Sequence, residues 1–192
     1  MPVSTVTVTT PNLVMGPGYL YAGAFGAAEP ADSAVNAAPA ASAWTGMGGT
    51  DSGVKLSVEQ KYTELNVDQV VDSVGRRLTS REITVSTNLA EPTLANFSAA
   101  MNGGTSASGT GWASYEPNFA TSATQPNYTA VMADGWAPGG NFNKRAILRK
   151  VLSTDKIEQS YMKDKQTFVP ITFTAHYVSS GIAPFHIVDQ TA

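Results

Sequence analysis

The stretch Arg81-Glu82-Ile83-Thr84-Val85-Ser86-Thr87-Asn88-Leu89 decides the fold class. Ile83, Val85, Thr87 and Leu89 fall on one side of an extended chain. Glu82, Thr84, Ser86 and Asn88 fall on the other. Strict alternation in a β-branched run is the pattern of a strand with one face on a core and one in water. Upstream, Val54, Leu56, Val58 and Tyr62 oppose Lys55, Ser57, Glu59 and Lys61 in the same way, giving a strand that starts at Gly53. Its partner is expected to start near Val67, after a turn around Glu64 to Asn66.

Immediately after Leu89 the period changes. Pro92 suits a first helical position, where its missing N–H is unpaired anyway. Leu94, Phe97 and Met101 follow at helical spacing, and Asn102-Gly103-Gly104 is a helix stop. One short helix over about residues 92–102 is therefore expected. Further strands are read at Tyr19–Ala22, 128–133, 144–152, 155–162 and 167–178. In the last of these, Val169, Ile171, Phe173, Ala175 and Tyr177 share a face and Pro170 marks an edge or bulge. Two Ala/Gly/Ser/Thr-rich stretches, near 24–50 and 103–127, read as long loops. Met1 to about residue 15, with the run Val3-Ser-Thr-Val-Thr-Val-Thr-Thr10, reads as an extended arm needing a partner strand. The sum is a mostly β protein, an antiparallel two-sheet sandwich or barrel in a single domain spanning 1–192.

Composition narrows the function. Charged residues make up 14% of the 192, well under the usual quarter of a soluble domain, as expected of a surface largely covered by neighbours or of one kept soluble by Ser, Thr and Asn. The net charge of −3 argues against gripping nucleic acid through its phosphates. Seven of the twelve cations lie between Lys144 and Lys165; that cluster reads either as a solvated face or as a functional one. There is no cysteine, which removes thiol catalysis and thiolate metal sites, and only His176 and His186 are present. No cofactor is expected. The first ten residues have neither the basic start nor the apolar stretch of a secretion signal, and no segment has transmembrane length. A cytoplasmically folded chain with no membrane role is the expectation.

Catalytic motifs do not emerge. Gly104-Thr-Ser-Ala-Ser-Gly109 has phosphate-loop glycine spacing but is followed by Thr110 where a lysine is needed. Asp68 and Asp72 on one strand face would stand about 13 Å apart, too far for a glycosidase pair. Each histidine reads more naturally as structural than as a general base, and no enzyme is expected.

Taken in order, several segments resemble the major tail tube proteins of long-tailed bacteriophages with flexible, non-contractile tails. They are Gly16-Pro17-Gly18-Tyr19-Leu20-Tyr21, Trp44-Thr45-Gly46 leading to Gly53-Val54-Lys55-Leu56, and Asp68-Gln69. The clearest is Arg81 to Asn96, with Leu89-Ala90-Glu91-Pro92-Thr93-Leu94 at its centre. Lys144 to Leu148, Asp155 to Met162 and Val169 to Ala175 complete the set. The resemblance runs from about Gly16 to Val178 and omits the two loops.

It implies a virion subunit, assembled in the bacterial cytoplasm, whose homohexameric rings stack into a hollow tube. Double-stranded DNA passes through that tube without specific binding. The tape measure, tail terminator and distal tail proteins are the implied partners. Lumen candidates are Glu82, Thr84, Ser86 and Asn88, or alternatively Lys55, Ser57 and Glu59; the alternation does not choose between them. Candidates for contact between subunits are Val3, Val6, Val8, Tyr62, Glu64, Asp68, Arg145 and Arg149. The basic stretch 144–165 is a candidate partner for Asp68 and Asp72 of a neighbour. Competing readings are a tail terminator or capsid decoration protein, a carbohydrate-binding sandwich using Trp112, Tyr115 and Trp136, and an unrecognised hydrolase.

Overall fold

A computed structural model describes residues 8–118 and 126–191 of the chain; Val3 and Val6 lie outside them. The fold is mostly β and antiparallel throughout. Its strands are β1 (Tyr19–Ala24), β2 (Trp44–Gly46), β3 (Thr50–Leu65), β4 (Gly75–Leu89), β5 (Thr105–Gly109), β6 (Trp112–Glu116), β7 (Thr129–Ala137), β8 (Phe142–Ser153), β9 (Val169–Ala175) and β10 (Phe185–Asp189). One α-helix, α1 (Leu94–Ala100), interrupts them. The main sheet runs β2-β1-β7-β8-β9-β4-β3, with β10 also on β8 and β5-β6 forming a separate hairpin.

The main sheet folds back over one core, giving a sandwich-like body. Leu20 of β1 shares that core with Ile83, Val85 and Leu89 of β4 and with Val169, Ile171 and Phe173 of β9. These strands come from opposite parts of the sheet order, so burying them together requires the sheet to curl. The alternation read in β4 holds: residues 83, 85, 87 and 89 are buried and their neighbours are not.

β7 and β8 are covered on both faces. Beneath them is the main core. Above, Trp44, Ala130, Met132 and Ile147 form a second cluster under the segment leading to β2. That is why Arg145 to Leu148 are consecutively buried rather than alternating. The stretch near 24–50 is thus a cover, pinned by Arg145, which donates to the Ala34 and Ala37 carbonyls at 3.2 and 2.8 Å.

Several expectations are corrected. β4 is one strand from Gly75, so residues 66–74 are its turn and Asp68 and Asp72 share no strand face. Residues 103–127 are not simply a loop, because β5 and β6 form a hairpin there. The segment 155–162 is no strand; it enters a loop closed by a single bridge between Met162 and Lys165. β9 ends at Ala175, leaving Tyr177 71% exposed. β8 covers only residues 173–175 of β9, so Pro170 sits where that edge has no strand beside it.

In α1 the buried side chains are Asn96 and Ala100, while Leu94 and Met101 are exposed. Asn96 faces inward because its amide donates to the Met47 and Glu91 carbonyls, at 3.0 and 2.9 Å. The start differs from expectation: Pro92 lies before the helix, and Thr93 caps it by accepting from the Asn96 N–H at 3.2 Å; the expected stop holds. Asn102 and Gly103 turn the chain out at φ 58° and 104°.

Candidate functional site: a polar sheet face and a projecting hairpin

Register decides which polar side chains share a surface. Ser57 is paired with Thr84, Lys55 with Ser86 and Glu59 with Glu82 across β3 and β4. Thr84, Ser86 and Asn88 are paired in turn with Thr174, Thr172 and Pro170 of β9. Directly paired residues point the same way. The two lumen candidate sets, Glu82-Thr84-Ser86-Asn88 and Lys55-Ser57-Glu59, are therefore one surface. β9 extends it with two further threonines, and Thr154 Oγ1 lies 2.8 Å from Thr174 Oγ1.

This face is built of hydroxyls with a slight excess of acid. Its charged members are Asp51, Glu59 and Glu82 against Lys55 and Lys61, and Lys61 Nζ lies 3.5 Å from Glu59. Such a surface makes hydrogen bonds to water everywhere and offers no cluster of cations to hold an anion.

Beyond the sandwich, β3 and β4 continue as a hairpin with no further strand beside it among the described residues. β9 accompanies β4 only from Thr84 to Leu89. Residues 75–82 therefore project roughly 25 Å past it at ordinary strand rise. The core side of this projection still carries apolar groups: Val58, then Tyr62 paired with Leu78, all exposed. Its tip exposes Val67, Val70, Val71 and Val74.

Among the contact candidates, Tyr62, Glu64 and Asp68 sit on this projection. The Tyr62 hydroxyl donates to Gln60 Oε1 at 2.7 Å, and Glu64 pairs with Arg76. Val8 is exposed. Arg145 is instead enclosed in its own subunit at 2% exposure, with a bidentate pair to Asp134 at 2.7 and 2.6 Å. Arg149 grips Glu29 at 2.5 and 2.8 Å and donates to the Ala183 carbonyl. That Glu29 hydrogen bond raises the Arg149 pKa above its ordinary value, outweighing the opposing effect of burial.

Other candidate chemistry is taken up by packing. The Gly104 to Gly109 stretch is largely the strand β5. Tyr115 packs edge-on against Phe97, with ring centroids 5.5 Å apart, and donates to the Gly103 carbonyl at 2.5 Å. It ties the β5-β6 hairpin to α1 and does not stand out as a sugar platform. His186 lies 3.0 Å from Asp32. His176 is edge-on to Tyr128 and its Nε2 has no hydrogen-bond partner among the described residues. Neither histidine is hydrogen-bonded to a serine among those residues, and no group of three potential metal ligands occurs there.

The β5-β6 hairpin and the part played by β9 escaped the sequence reading. Thr110-Gly111, with Gly111 at φ 84°, was the available turn signal for the hairpin. No local signal shows that β9 lies beside β4.

The chain is similar to a family described as phage tail tube proteins, which matches residues 9–187. That family implies a virion component assembled with copies of itself and with other tail proteins. No curated protein matches the sequence. Among the described residues no helix is long and apolar enough to cross a membrane. With nearly its whole length matched, the chain belongs to the phage tail tube protein family.

Proposed function

We propose that six copies form a ring, that rings stack into the hollow tube of a flexible, non-contractile tail, and that the β3-β4-β9 polar face lines the lumen. Double-stranded DNA passes along that face. The observation that carries this reading is the register: it unites both polar strand faces with Thr172 and Thr174 into one hydroxyl-rich, faintly acidic surface. Phosphates slide along such a surface, whereas clustered lysine or arginine would hold them. Among the described residues no strand pairs with the outer edge of β3, sixteen residues long, and this supports ring closure. An edge of that length is aggregation-prone unless a neighbour pairs with it.

The tape measure, terminator and distal tail proteins meet the tube at its inside and its ends, and assembly takes place in the bacterial cytoplasm. The role is structural, with no catalytic step.

The test uses electron microscopy of the purified chain and single cysteines introduced into a protein that has none. Hollow tubes with sixfold end views are expected. Ser57→Cys and Ser86→Cys should react with a small maleimide but not with a bulky one once tubes have formed. Equal labelling by both reagents in tubes would place this face outside. A single closed ring that never stacks would favour a terminator.

A further inference from the structure

We infer that stacking sets the valine-rich hairpin tip, residues 66–74, of one copy on the Tyr161–Lys165 loop of the next, with Asp68 and Asp72 facing Lys163 and Lys165. The inference rests on the tube reading and names the two surfaces that would join its rings.

The tip cannot be a finished surface. Val71 is fully exposed, and Val67, Val70 and Val74 are exposed beside it. Four valines on nine residues is an apolar knob that a soluble monomer does not ordinarily leave in water. The loop is its counterpart: Tyr161 is 80% exposed and Met162 stands next to it. The loop has a defined shape. Met162 bridges Lys165, Thr167 donates to the Ser160 carbonyl, and the Gln166 amide donates to the Ala90 carbonyl.

The two patches lie at opposite ends of β4. The tip precedes Gly75, while Gln166 bonds the residue after Leu89 and Val169 is paired with Leu89. Fifteen residues of strand separate them by about 45–50 Å. They cannot meet within one subunit. A knob at one end and its acceptor at the other is a heterologous contact, which adds copies in one direction without closing.

Charge selects the loop from the wider basic stretch. Lys144 pairs with Asp189 at 3.3 Å, Arg145 with Asp134, Arg149 with Glu29 and Lys156 with Glu158. Lys150 lies over the Tyr128 ring at 4.2 Å. Of the seven cations between 144 and 165, Lys150, Lys163 and Lys165 have no acidic partner within 4 Å among the described residues, and of these three only Lys150 is held against an aromatic ring. Asp164 stands between them and Asp155 at the base of the loop. On the tip, Glu64 is taken by Arg76, and Arg77 stands at the base. Asp68 and Asp72 are the only charges on residues 66–74. Facing unlike charges steer and register an apolar contact that is otherwise non-directional.

The experiment measures the concentration at which the full chain forms tubes, by sedimentation and electron microscopy. Asp68→Lys with Asp72→Lys, and separately Lys163→Glu with Lys165→Glu, should each raise that concentration at least about tenfold at low salt. Combining all four should restore it toward wild type. Circular dichroism of each variant should be unchanged, because all four side chains are exposed. Charge variants that assemble as wild type does, or a fourfold variant as defective as its parents, would overturn this contact and leave the tube reading standing. A wild-type chain that stays monomeric at every concentration would sink both.

Discussion

Glu59 and Glu82 stand directly opposite each other across β3 and β4, on the same polar face. Like charges in that relationship cost a sheet roughly 0.2–1 kcal/mol, only partly offset by Lys61 beside Glu59. Glu82→Gln should therefore leave the isolated subunit equally or slightly more stable in urea, with the difference shrinking in salt. Glu59→Lys combined with Glu82→Lys should slow DNA release from assembled particles. Release at the wild-type rate would show that these two positions do not meet DNA.

Arg145 is the strut between the sheet and the cover over β7 and β8. Arg145→Ala strands Asp134, which is largely buried, and frees the Ala34 and Ala37 carbonyls. A loss of about 3–5 kcal/mol is expected in chemical denaturation. Limited proteolysis should then cut within residues 25–43 before the rest of the chain. A loss under 1 kcal/mol would mean that the Trp44 cluster holds the cover unaided.

Asn96 joins α1 to the start of β3 by donating to the Met47 and Glu91 carbonyls. Asn96→Leu keeps the volume but leaves the Met47 carbonyl buried and unpaired. Destabilisation of about 1–3 kcal/mol is expected. Thr93→Ala, which removes only the helix cap, should cost about 1 kcal/mol.

Tyr115 ties the β5-β6 hairpin to α1, and burial raises its phenol pKa above the ordinary value of 10.0. The folded state thus favours the neutral phenol, which keeps its bond to the Gly103 carbonyl. The corresponding stability is fully present below pH 10 and is lost as pH climbs through the raised folded value. Denaturation midpoints measured across that alkaline window should fall more steeply for wild type than for Tyr115→Phe. Parallel curves would remove Tyr115 as the cause.

Close approach at Gly16 gives a sharper test of packing. A Cβ there would come within 2.1 Å of the Trp136 ring. Gly16→Ala should cost about 1–3 kcal/mol and change the tryptophan fluorescence. A changed spectrum with unchanged stability would show that the ring moves aside freely.

Legibility along the chain followed local geometry. β4 was readable because one face is buried and the other wet, so residues 82–89 alternate. β8 was harder: with Arg145 to Leu148 covered on both sides, period carries no face information. In α1 the apolar spacing of Leu94, Phe97 and Met101 misled, because a polar amide with two carbonyl partners takes the inward position instead. The segment 155–162 had strand-like composition, yet among the described residues it pairs with no strand and makes only the Met162–Lys165 bridge.

Period and composition along the chain were enough to establish a β protein with one helix and a hydroxyl-rich face on β4, and the order of its segments resembles that of tail tube subunits. Those features depend on residues within a turn or a strand of one another. That Ser57, Thr84 and Thr174 stand side by side emerged only in the folded chain. So did the burial of Arg145 and the placing of the valine tip and the lysine loop at opposite ends of β4. Pairing between strands a hundred residues apart is set by register and by which apolar faces pack together, and a one-residue slip would invert every face. No local pattern encodes that choice.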